Sequence, residues 1–137
     1  MRVQELSIQN FRGFRELKLS LPETGPVLLV GLNAAGKSSI LDALAILLAR
    51  LVRDATRIKK STKKIEDQLS LTVSDIQLGA GECQIRLDCR SQEGAQLAWQ
   101  ICEPPQSEPP SPPLPGAWPV LVYFKSDRCG RTLKLVV

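Results

Sequence analysis

There is no histidine in this chain, and aromatic residues occupy only 4% of its 137 positions. Without imidazole, the four cysteines (Cys83, Cys89, Cys102 and Cys129) cannot complete a mixed Cys/His zinc site, and none of them forms a CxxC pair. The shortage of aromatics places the core on Leu, Ile, Val and Ala. Long apolar runs are also missing. The most apolar stretch, Ile40 to Val52, is broken by Asp42 and Arg50 and is too short to span a bilayer. The N-terminal MRVQELSIQNFRGF lacks the apolar centre of a secretory signal. These absences predict a cytoplasmic protein with reduced thiols and no membrane segment. Charge of one sign is scarce too: 18 Lys and Arg against 14 Asp and Glu leave a net +4, too little to decide for or against a polyanionic partner.

What is present begins with alternation. Leu6 and Ile8 alternate with polar neighbours, as do Leu17, Leu19 and Leu21 after a turn around Gly13, which predicts two half-buried strands. Pro26 to Val30 differs: Val27, Leu28, Leu29 and Val30 run unbroken, as expected of a third strand covered on both faces. From Lys37 the period lengthens. Ile40, Leu41, Leu44, Leu47, Leu48 and Leu51 fall at helical spacing, with small or apolar residues between them, predicting a largely buried helix to Val52.

A charged segment, 53–68, follows, read as an exposed helix end or loop. Cys83, Ile85, Leu87 and Cys89 then alternate with polar residues. Leu97, Trp99 and Ile101 do the same after SQEG, so a hairpin is expected. Seven of the ten prolines lie between Pro104 and Pro115, which makes 103–117 an extended spacer loop. An apolar run, PVLVYF, follows at Pro119 to Phe124.

Between the apolar run at Val27–Val30 and the helix stands GLNAAGKSS, Gly31 to Ser39. Gly31, Gly36, Lys37 and Ser38 satisfy GxxxxGK[ST], a pattern that background frequencies produce in roughly 0.5% of chains this long. Its placement between a strand signal and a helix is the context that the chemistry requires. Gly31 and Gly36 permit backbone angles and a close approach that a Cβ would block. The loop amides can then form a nest for phosphate oxygens, with the helix N-terminus adding unpaired N–H groups. Lys37 is expected between the β- and γ-phosphates of ATP, and the Ser38 hydroxyl on Mg2+. Asn33, the amides of Ala34 and Ala35, and Ser39 complete the rim.

The NFRGF turn at Asn10 to Phe14, the loop Gly31 to Ser39 and the SILDAL-type start of the helix (Ile40 to Leu44) together resemble the ABC-type heads of SMC, RecF and OLD-like ATPases. The Asp75-Ile76 pair and PVLVYF leading to Arg128 look like small prokaryotic members, some of them defence proteins. The resemblance implies an α/β P-loop NTPase fold, with a mixed sheet, N-terminal antiparallel strands and one central buried helix. It implies ATP and Mg2+ as ligands, Arg12 near the nucleotide, and a homodimer of heads sandwiching two ATP molecules. A role in DNA maintenance or phage defence, with DNA and a nuclease as partners, goes with it.

Such heads hydrolyse ATP with an apolar strand ending in Asp-Glu, an LSGG-like signature and a switch histidine. None of these is in the sequence. Asp127 follows PVLVYF only after Lys125 and Ser126, too late to sit at a strand end. Residues 1–137 are therefore expected to be a single, truncated N-terminal lobe. It would bind ATP without turning it over until a C-terminal lobe and dimerisation complete the site. A small-molecule kinase is the rival activity, although kinases usually open with the phosphate-loop strand. A non-catalytic nucleotide-binding scaffold is another. The basic run from Arg50 to Lys64 lacks interleaved aromatics for base stacking and reads as a solvated face.

Overall fold

The computed structural model describes residues 2–56, 69–91 and 93–106. Strands β1 (Arg2–Phe11) and β2 (Phe14–Ser20) come first, then helix α1 (Lys37–Thr56), a single 3-10 turn (Val73–Asp75), and strands β3 (Cys83–Arg90) and β4 (Gln96–Glu103). The four strands form one sheet in the order β2-β1-β3-β4, antiparallel at every pairing.

Alternation in the sequence becomes two-sidedness in the sheet. Leu6 faces Leu19 on one side and Leu87 on the other, and Ile8 lies between Leu17 and Ile85. Across the outer pair, Ile85 meets Ile101 and Leu87 meets Trp99. Because side chains at every second position share a face, one register puts all these apolar groups on the same side. Ser7, Lys18, Arg86 and Gln100 fall on the opposite, polar side. A single bulge between Val3 and Glu5 breaks the phase near the start of β1.

The apolar face is covered by α1. Ala43, Ile46, Leu47 and Leu51 are buried at i, i+3, i+4 and i+8, and share a core with Leu6, Ile8, Phe11, Ile85, Leu87 and Trp99. Each such large side chain contributes about 1.5–3 kcal/mol of transfer free energy, so this stripe holds the helix to the sheet. The helix is not buried all round. Leu41, in its second turn, is 49% exposed.

Two sequence expectations need correction. The sheet is antiparallel throughout the described residues rather than mixed. Pro26 to Val30 is not a strand covered on both faces: it joins no ladder among these residues, and Leu28 and Val30 are each 83% exposed. The physical reason lies in what such a run requires. A half-buried strand needs one apolar cover, which α1 provides to β1 and β3. A run apolar on both faces needs hydrogen-bonded neighbours and two covers. No described strand lies beside it.

The hairpin expected from Cys83 to Cys102 is present as β3 and β4. Its connection is closed by Ser91, whose amide donates to the Ala95 carbonyl (2.9 Å) and whose Oγ accepts from the Glu93 and Ala95 amides. Of the charged segment 53–68, the first four residues continue α1, and the rest lies outside the described residues. Most of the proline-rich loop 103–117 lies outside them as well, together with PVLVYF, Asp127 and Cys129.

Candidate phosphate-binding site

The motif residues lie directly before α1 and on its first turn. Gly31 to Ala35 are exposed, Gly36 immediately precedes the helix, and Lys37, Ser38 and Ser39 open it. No acidic residue occupies the first helical turn, so nothing there opposes an anion. The loop tightens through the Ala35 amide, which donates to the Leu32 carbonyl at 3.2 Å. The Ile40 amide donates to the Gly36 carbonyl at 3.0 Å and starts the helical ladder.

Two loop positions have left-handed backbone: Gly36 at φ +87° and Ala34 at φ +66°. At Gly36 the glycine is required twice over. Besides the angle, a Cβ there would stand 2.9 Å from Cε2 of Phe14 and closer still to Cζ. At Ala34 the same region carries a methyl group, a strain of about 1–2 kcal/mol that a glycine would lack.

Lys37 folds back over the loop, its Nζ donating to the carbonyls of Gly31 (2.7 Å) and Leu32 (2.6 Å). The ammonium is therefore above the loop, on a flexible stem, held by neutral acceptors. A phosphate oxygen is a stronger acceptor for it than a carbonyl. An exposed cradle, a glycine where a Cβ would clash and a movable cation over the loop together fit a di- or triphosphate.

Arg12 meets different partners. Its Nη1 donates to Asp42 of α1 at 2.5 Å, its Nε donates to Asp75 at 2.8 Å, and its own backbone amide donates to the Asp75 carbonyl at 2.7 Å. The guanidinium carbon lies 4.8 Å from the centroid of the Phe11 ring. Burial acts to lower the Arg12 pKa, but the two carboxylates outweigh it and the value is raised. The side chain is 34% exposed, against 15% for Asp42 and 12% for Asp75. Asp42 is five residues beyond Lys37, about 7 Å along the helix axis. Arg12 is thus fastened to the helix that carries the lysine through the Asp42 carboxylate, and to the 3-10 turn through Asp75.

The anchors on either side of Arg12 were not assigned a role from the sequence. Asp75 accepts from both the amide (3.1 Å) and the hydroxyl (2.9 Å) of Thr72, which fixes the 3-10 turn. Just beyond it, Ile76 bridges Phe11, and the Gln77 amide donates to the Asn10 carbonyl at 2.8 Å. The Asp-Ile pair noticed in the sequence is thus the strap that closes over the β1–β2 turn. The signal available for Asp42 was a charge among the apolar positions of the helix, and for Phe14 an aromatic residue in a chain with few.

The sequence model of a family described as an AAA domain matches residues 5–133. Among curated proteins, DNA replication and repair protein RecF of Desulforamulus reducens is 29% identical over 109 residues, covering 79% of this chain and 28% of that protein. RecF of Synechococcus sp. is also 29% identical, over 97 residues, covering 71% of this chain and 25% of its own length. An uncharacterized protein of Mycobacterium tuberculosis is 34% identical over 76 residues, which is 56% of this chain and 8% of that protein. The chain therefore spans about a quarter or less of the length of these relatives.

Proposed function

This chain belongs to the AAA domain family, and we propose that it is the phosphate-holding lobe of an SMC/RecF-class ATPase and binds ATP with Mg2+ on the loop Gly31 to Ser39. The observation that carries the reading is the geometry at Gly36 and Lys37. A left-handed glycine with no room for a Cβ turns the chain into the helix, and the next residue hangs its ammonium over the loop carbonyls. Similarity to RecF over most of the chain supports the class.

In this reading the amides from Asn33 to Ser39 hold the phosphates. Lys37 exchanges its two carbonyl acceptors for phosphate oxygens, and the Ser38 hydroxyl ligates Mg2+. The bound metal would neutralise charge on the β- and γ-phosphates. Water activation and closure of the site fall to parts supplied from elsewhere: a C-terminal lobe and a second head. DNA maintenance, or phage defence with a nuclease, is the setting that the class suggests, with DNA as the macromolecular partner.

Titration calorimetry with ATP and Mg2+ tests the reading. Lys37→Ala removes a charge-assisted contact worth about 2 kcal/mol, so its affinity should fall at least tenfold. Equal affinity in the two proteins, or no binding by the wild type, contradicts it.

A further inference from the structure

Residues Gly31 to Ala35 are exposed, and a nest of amides is useful only if the chain already holds the shape in which they converge. Glycine is the residue least able to hold a shape by itself. Gly36 nevertheless carries the turn at φ +87° into α1. The neighbour against it is Phe14, whose Cε1, Cε2 and Cζ all crowd the space that a Cβ at Gly36 would take.

Phe14 is itself firmly placed. It is the first residue of β2 and pairs with Phe11 across the β1–β2 turn. That turn has left-handed backbone at Asn10 and Arg12, both at φ +51°. Non-glycine residues keep such angles where the surroundings over-determine them. Here Asp75 accepts from the Arg12 amide and Nε, Asp42 accepts from Nη1, and the Gln77 amide donates to the Asn10 carbonyl. One of those anchors, Asp42, lies on α1 itself. The turn is therefore fastened to the helix beyond the loop, while Phe14 presses on the residue that opens that helix.

We propose that Phe14 is a positioning residue for nucleotide binding: its ring, held by the Arg12–Asp42–Asp75 anchor, fixes the Gly36 turn and so pre-forms the phosphate nest. The inference rests on the reading of Gly31 to Ser39 as an ATP site. Phe14 need touch no nucleotide atom. Its effect passes through backbone shape, and so through the amides that meet the β-phosphate, which ADP and ATP share.

The test is the affinity of the chain for Mg·ATP and Mg·ADP, measured at a temperature where circular dichroism shows every variant folded. Phe14→Ala should weaken both nucleotides by the same factor, about tenfold. Phe14→Tyr, which keeps the ring, should bind as the wild type does. If the alanine variant does not fold, Phe14→Leu takes its place, with a loss of about threefold for both nucleotides. A residue serving only the fold would lower the melting temperature and leave these affinities unchanged, and that result overturns the proposal. So does a loss confined to ATP. Lys37→Ala separates the two levels. If it weakens binding while Phe14→Ala does not, only this inference fails; if the wild type binds neither nucleotide, the site reading fails and takes the inference with it.

Discussion

Arg12 shows how much one residue can be asked to do by its surroundings. In NFRGF the glycine looks like the residue that turns the chain, yet the left-handed angle falls on Asn10 and Arg12, and Gly13 has no positive φ. The conformation is unfavourable for a long side chain, and the bonds to Asp42 and Asp75 offset that cost. No local pattern could reveal it, because the partners lie 30 and 63 residues away. The anchor makes a measurable claim. Arg12→Ala and Asp75→Ala should each destabilise the chain in urea unfolding, and the double variant should lose less than their sum. A coupling of about 1–2 kcal/mol is expected for partners in one polar network with Arg12 one-third exposed. Additive losses would mean that Arg12 and Asp75 act independently.

Among the elements, those with one apolar face were legible and the run with two was not. Leu6, Ile8, Ile85 and Leu87 announced their strands by period two, and Ile46, Leu47 and Leu51 announced the helix, because each face needs only the other to bury it. Val27 to Val30 carries an equally strong apolar signal, but the pattern cannot say which strands lie beside it. Cysteine placement follows the same logic. Cys83 and Cys89 point into the core of β3 as free thiols. Burial pushes the Cys83 thiol up to about 11 and the Cys89 thiol to about 12 from an ordinary value of 9.0, with Asp75 adding at Cys83 and Asp88 at Cys89.

Below pH 9 both states keep these protons and stability is full. Between pH 9 and about 11 to 12 the unfolded chain releases protons that the folded chain retains, so stability falls as pH rises. Stability measured by urea unfolding should drop between pH 8 and 10.5, by on the order of 2 kcal/mol for each of the two thiols. A Cys83→Ala/Cys89→Ala variant should show a clearly shallower slope. An identical slope would assign the effect to other groups.

At the scale of the whole molecule, the described residues form an antiparallel sheet with one helix, and the loop proposed to hold phosphate leads into that helix. Phosphoryl transfer to water needs stabilised charge on the γ-phosphate and an oriented water. In the proposed reading, Lys37, Ser38 and Mg2+ address the first need. For the second, the sequence has no apolar run ending in Asp-Glu, and Asp127 follows PVLVYF only after Lys125 and Ser126. Of the candidate site, the loop from Gly31 to Ser39 could be proposed from the sequence because its spacing is itself the motif. Its supports, Phe14 and Asp42, could not, because their role depends on which elements meet in space.

One measurement addresses the central claim, that this chain holds ATP on its loop without consuming it: equilibrium dialysis against Mg·ATP, followed by analysis of the nucleotide on each side of the membrane. About one ATP should be retained per chain, still a triphosphate after hours, with retention falling at least tenfold in Lys37→Ala. No excess nucleotide on the protein side would contradict the binding site. ADP and phosphate accumulating with the wild type and not with Lys37→Ala would show that these 137 residues contain a complete ATPase.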